Sequence, residues 1–210
     1  AASDVYKRQL LETAVVCDAV ATPLKIIKKA RISSFEKVGV IGAGGGLGIH
    51  MLKMLKLNNI SAIGIDTKTE KFNTCNENGA EFSVSPMEND LKNKIADFSK
   101  SNDLDVVIDF VSSKSSLELG CSILGKGGRL VTLGGSGEQF LANSADMLVK
   151  ELELIGSRYC TKQELKESLD LYARGLIEPL VSVKTDFDGA EGLHDKIEKG
   201  EITGRAGILI

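Results

Sequence analysis

Residues 37–66 read KVGVIGAGGGLGIHMLKMLKLNNISAIGID, and this stretch decides the fold. Val38, Val40 and Ile41 make an apolar β-branched run, the signature of a buried strand. A glycine cluster follows, then apolar residues at helical spacing, then a second apolar run (Ala62, Ile63, Ile65) that ends in Asp66. The predicted order is strand, turn, helix, strand, acid. Gly42, Gly44, Gly45, Gly46 and Gly48, with Leu47 among them, let the backbone turn sharply and approach a ligand without Cβ clashes. The helix behind them offers unpaired N–H groups and the positive end of its dipole to a diphosphate. Asp66 falls where a carboxylate accepts hydrogen bonds from both hydroxyls of an adenosine ribose and would repel a 2′-phosphate. The residues therefore predict a dinucleotide site that prefers NAD to NADP.

The glycines do not fall at i, i+2 and i+5, because Leu47 takes the third place counted from Gly42. Two looser frames fit: Ala43-x-Gly45-x-x-Gly48 and Gly42-x-x-Gly45-x-x-Gly48. A glycine-rich turn in an ordinary strand–helix–strand unit is the bland alternative, and Asp66 at the end of the second strand weighs against it.

Downstream, strands and helices alternate. Helices are expected from Thr67 to Ala80, Asp90 to Ser99, Ser115 to Leu124 and Thr161 to Arg174. Strands are expected at Phe82 to Val84, Leu104 to Phe110, Gly128 to Leu133 and Leu152 to Ile155. This alternation predicts an α/β fold: a doubly wound parallel sheet with helices on both faces, binding ligands at the carboxyl ends of its strands. Those ends carry Gly42 to Gly48, Asp66, Val111 and Gly134-Gly135. Ile177 to Val183 and Ala206 to Ile210 also read as strands, with a helix from Gly189 to Lys199 between them, but they have no evident place in that sheet. Before it, Leu10 to Ala30 has helical spacing, with Thr22 expected to cap a helix over Pro23 to Lys29. Asp18, a carboxylate between apolar neighbours, calls for a partner. Residues 1–8 show no period and read as a leader or junction, so the domain expectation is 9–175 for the nucleotide-binding unit and 176–210 for part of another.

The formal charge of −3 over 210 residues leaves no electrostatic footprint for nucleic acid. The longest apolar runs are of strand length, and no secretory signal opens the chain, so neither a membrane nor export is expected and a cytoplasmic location is. The four cysteines, Cys17, Cys75, Cys121 and Cys160, are scattered without a Cys-x-x-Cys pair, which reads as reduced thiols. His50 and His194 lack companions at ligand spacing and read as structural or surface residues. Arg158 and Tyr159 follow the sixth strand and either approach the cleft or pack.

GAGGGLG followed by GID, then DVVIDFV, GGRLVTLGG, LIGSRYCTKQEL and GEITGRAGILI, in that order, resemble the medium-chain zinc-dependent alcohol dehydrogenases, nearest to NAD-dependent secondary-alcohol dehydrogenases. The match covers roughly Leu10 to Ile210. It implies a Rossmann cofactor domain followed by a remnant of a GroES-like catalytic domain whose N-terminal part is not in this chain. It implies NAD and zinc as cofactors, an alcohol or carbonyl as substrate, and assembly as a dimer or tetramer. In CDAVATP, Asp18 stands four residues before Thr22, which makes it the implied third zinc ligand, with Cys17 the neighbouring candidate. The resemblance also implies Lys71 near the ribose, Arg205 near the diphosphate, and the nicotinamide near Val111, Gly134 and Gly135. The catalytic residues would belong to the absent part. Three readings follow: the cofactor-binding part of an NAD-dependent alcohol dehydrogenase, a nucleotide-binding module without turnover, and a zinc-independent reductase of the same superfamily.

Overall fold

The computed structural model describes residues 10–101 and 103–209. The expectation for residues 1–8, and the final residue of the last expected strand, lie outside them. The described residues open with one continuous helical rod: α1 (Leu10–Val15), a π-helical turn (Val16–Val20) and α2 (Ala21–Lys29). Pro23 has no N–H to give to Ala19, and directly ahead of it the Ala21 N–H reaches back to Val16 in the wide i→i−5 bond. Thr22 therefore does not cap a new helix. Its hydroxyl lies inside the rod and donates to Asp18 Oδ1 at 3.1 Å.

β1 (Lys37–Ile41), α3 (Gly48–Leu57) and β2 (Ser61–Ile65) follow as the sequence predicts. Then come a 3₁₀ turn (Thr69–Lys71), α4 (Phe72–Glu77), β3 (Ser83–Val84), α5 (Leu91–Ser99), β4 (Leu104–Asp109) and α6 (Lys114–Ser122). β5 (Leu124–Thr132), α7 (Ser144–Lys150), β6 (Glu153–Gly156) and α8 (Lys162–Ala173) complete the unit. α6 stops two residues short of the expected end because β5 starts early. Leu124 pairs with Leu104, and the register then slips so that Arg129 meets Val106. α7 has no counterpart in the sequence reading.

All pairings within the sheet are parallel, in the order β3-β2-β1-β4-β5-β6, so the two halves wind outward from the β1–β4 junction. Alternate residues of β1 feed opposite layers: Val38 and Val40 join the core under α2, α3 and α8, whereas Ile41 joins the one under α5 and α6. α3 is apolar nearly all round, with Ile49, Met51, Leu52, Met54 and Leu55 fully buried, each contributing on the order of 2 kcal/mol. β7 (Val181–Thr185) and β8 (Arg205–Ile208), joined through α9 (Ala190–Glu198), form a separate parallel pair. β7 begins later than expected because Ile177 is instead buried in the main core. No helix of the described residues is long and apolar enough to cross a membrane.

Candidate nucleotide-binding site

The turn after β1 resolves the glycine frame. Gly42 has φ of +75°, and a Cβ on Gly48 would lie 2.2 Å from the Gly42 carbonyl, so the first glycine turns the chain and the last lets α3 sit against it. Gly45 stands between them. The nearest atom to its Cβ position is the Gly42 carbonyl, and it lines an open cleft of about 670 Å³. The frame is thus Gly42-x-x-Gly45-x-x-Gly48. Gly44 does not line that cleft: its N–H donates to Asp66 Oδ2 at 2.8 Å.

Asp66 lines the same cleft. Its Oδ1 accepts the Lys68 N–H at 3.0 Å, so two main-chain amides orient the carboxylate while each oxygen keeps acceptor capacity for a sugar hydroxyl. Ile65, Pro86, Met87 and Leu119 supply an apolar wall of the kind that accommodates a flat base. Lys71 lies across Gly44, buried, with its ammonium donating to the Ile202 carbonyl at 2.7 Å. The expected ribose neighbour is therefore beside Asp66 but also holds the C-terminal segment.

Arg205 reaches the turn from β8. Its Nε would be 2.7 Å from a Cβ on Gly46, and that Nε is buried without an acceptor. Its Nη2 donates to Asp18 Oδ2 at 2.5 Å. A desolvated guanidinium N–H beside a glycine turn is a donor waiting for an anion, which fits a diphosphate.

On the opposite wall, fully buried Asp109 ends β4 and builds the next turn. Its Oδ1 accepts the N–H of Val111 at 2.8 Å and of Ser112 at 3.0 Å, and its Oδ2 accepts the Ser116 hydroxyl at 2.7 Å. This places Val111 in the cleft. Gly134 donates its N–H to Ser112 Oγ at 2.8 Å, and neither Gly134 nor Gly135 is among the residues lining the cleft. Sequence reasoning missed Asp109. The signal available was a carboxylate two and three residues before amides in a strand-to-helix turn.

The described residues do not by themselves make a zinc site. Asp18 has its carboxylate oxygens engaged by Thr22 and Arg205, Cys17 is exposed with its thiol directed to the Thr13 carbonyl, and no group of three metal-binding side chains occurs among the described residues. The partner that the sequence demands for Asp18 is an arginine.

The family profile described as zinc-binding dehydrogenase matches residues 46–174, more than half of the chain. This chain belongs to the zinc-binding dehydrogenase family. Among its relatives in that family, an NAD-dependent alcohol dehydrogenase of Sulfurisphaera tokodaii is 25% identical over 192 residues, spanning 91% of this chain and 55% of the relative. The alcohol dehydrogenase structure from Aeropyrum pernix superposes with a TM-score of 0.86 at 27% identity, covering 95% of this chain and 58% of that one. The acetophenone reductase of Geotrichum candidum, solved with NAD, gives 0.79 at 29% identity over 92% of this chain and 54% of its own. This zinc-binding dehydrogenase chain therefore spans a little over half the length of the relatives it matches.

Proposed function

We propose that this chain is the NAD-binding part of an alcohol dehydrogenase that, as a whole protein, transfers hydride between a small alcohol or carbonyl compound and NAD. The observation that carries the reading is the pairing, across one open cleft, of an amide-oriented carboxylate at Asp66 with the acceptor-less Arg205 Nε beside Gly46. Asp66 holds the adenosine ribose, the N–H groups ahead of the first turn of α3 and the Arg205 guanidinium hold the diphosphate, and Val111 faces the nicotinamide half. NAD, when bound, supplies the hydride acceptor. Lys71 serves the ribose edge through its place beside Asp66. The β7–β8 pair within residues 176–210 belongs with a catalytic domain carried by other residues of the whole protein, and assembly as a dimer or tetramer is part of the reading.

The donor set around Asp18 favours a second reading for the chain taken alone, a nucleotide-binding module without turnover. Calorimetry with NAD and NADP tests the first. NAD binds and NADP binds much more weakly. Asp66→Asn, which removes the charge but keeps the shape, weakens NAD by about tenfold, the value of charge-assisted hydrogen bonds, and narrows the gap to NADP. Equal affinity of the unmodified chain for both cofactors would refute the role given to Asp66.

A further inference from the structure

His50 is fully buried on α3, one turn beyond the glycine cluster. Its Nδ1 donates to the Gly46 carbonyl at 2.7 Å, and its Nε2 accepts the Leu180 N–H at 3.0 Å. A ring nitrogen facing a carbonyl must carry the proton and one facing an N–H must not, so these partners select the neutral Nδ1–H tautomer. Burial agrees, pushing the imidazole pKa down to about 4 against the opposing pull of the Gly46 carbonyl bond, with Lys53 on the same helix and Arg205 from β8 also opposing charge and Asp18 from the π-helical turn favouring it.

The two partners belong to the glycine turn and to the segment that leads into β7. The Gly46–Leu47 peptide is trans and planar, so holding its carbonyl toward the helix turns the Leu47 N–H the other way, and Leu47 lines the cleft. Leu180, for its part, accepts the Arg205 N–H at 2.9 Å through its own carbonyl. One imidazole thus sets the attitude of a turn amide and fixes the strand that presents the guanidinium. Core filling alone would call for a leucine, which would leave the Gly46 carbonyl and the Leu180 N–H unpaired.

We infer that His50 is a positioning residue for the nucleotide diphosphate: without touching ligand, it holds the Leu47 amide and, through Leu180, the Arg205 guanidinium in register beside the glycine turn. The inference rests on the diphosphate reading proposed above.

Three variants of the whole chain test it, with ADP-ribose and adenosine as probes in calorimetry and ligand-detected NMR. His50→Leu keeps the bulk and loses both hydrogen bonds. His50→Asn keeps an amide near the Nδ1 position, and His50→Gln keeps one near Nε2, so each restores one bond. His50→Leu weakens ADP-ribose about tenfold, the combined value of two hydrogen bonds, and leaves adenosine affinity unchanged, while Asn and Gln each recover part of the loss. A loss shared equally by both probes would mark His50 as merely structural and overturn the inference, as would unchanged ADP-ribose affinity in all three variants. Should the Leu variant fail to fold, the Asn and Gln variants carry the same comparison. If the unmodified chain binds adenosine but gains nothing from the diphosphate, the diphosphate reading itself fails and takes the inference with it.

Discussion

Asp66 and His50 differ in how visible they are to sequence reading, and the difference is physical. Asp66 acts within its own strand–helix–strand unit, accepting an amide 22 residues away, so its place follows from local order. His50 draws its meaning from Leu180, 130 residues distant, and alone on an apolar helix it looks like any core histidine. Asp18 was legible as a carboxylate in need of a partner, yet only the fold shows that the partner is Arg205. His50 also carries a pH prediction. In the unfolded chain it titrates near 6.5, and in the folded chain it stays neutral down to about 4. Between those values the unfolded state binds the extra proton, so the stability His50 confers is whole above 6.5 and drains away as pH falls toward 4. The loss across that window is about 3 kcal/mol. Urea midpoints taken from pH 7 to pH 4 should fall more steeply for the unmodified chain than for His50→Leu. Parallel profiles would contradict the burial described.

At the scale of elements, helices announced by end signals were the readable ones. Thr161 is the N-cap of α8: its hydroxyl accepts the Glu164 N–H at 3.2 Å while Glu164 returns a bond to the Thr161 N–H at 2.6 Å, the reciprocal box that TKQE encodes. Thr161→Ala should therefore cost about 1 kcal/mol in chemical denaturation, with nucleotide affinity untouched. α7 escaped notice because it has no core side. None of its residues is buried, and Leu148 and Val149 are 79% and 72% exposed, so the periodicity that betrays an amphipathic helix has nothing to align with. The rod of α1 and α2 was misread at Thr22 because a proline normally marks a boundary. The π-helical turn accommodates it inside a continuous helix instead.

For the whole molecule, alternation of strands and helices implies parallel neighbours joined by right-handed crossovers, which is why the six strands of the sheet were legible, whereas their order comes from the structure. The second pair was not, since two strands joined through α9 carry no signal of where they dock. They dock on the glycine turn: Gly204 N–H donates to the Gly44 carbonyl at 3.2 Å, Lys71 to the Ile202 carbonyl, Lys53 to the Glu178 carbonyl at 2.8 Å and Leu180 N–H to His50. Saturating NAD should slow amide hydrogen exchange at Leu180, Gly204 and Arg205 together, although only Arg205 meets the ligand. Exchange rates that do not change would show that the segment is held independently of the nucleotide.

Because Arg205 roofs a pocket begun at Gly42, the direction of protein synthesis acquires a consequence. The ribosome delivers the glycine bend and every strand of the large sheet well before the roof emerges. A nascent chain can therefore settle that sheet first, and on the proposed reading its grip on a dinucleotide is complete only once β8 has swung back onto the first turn.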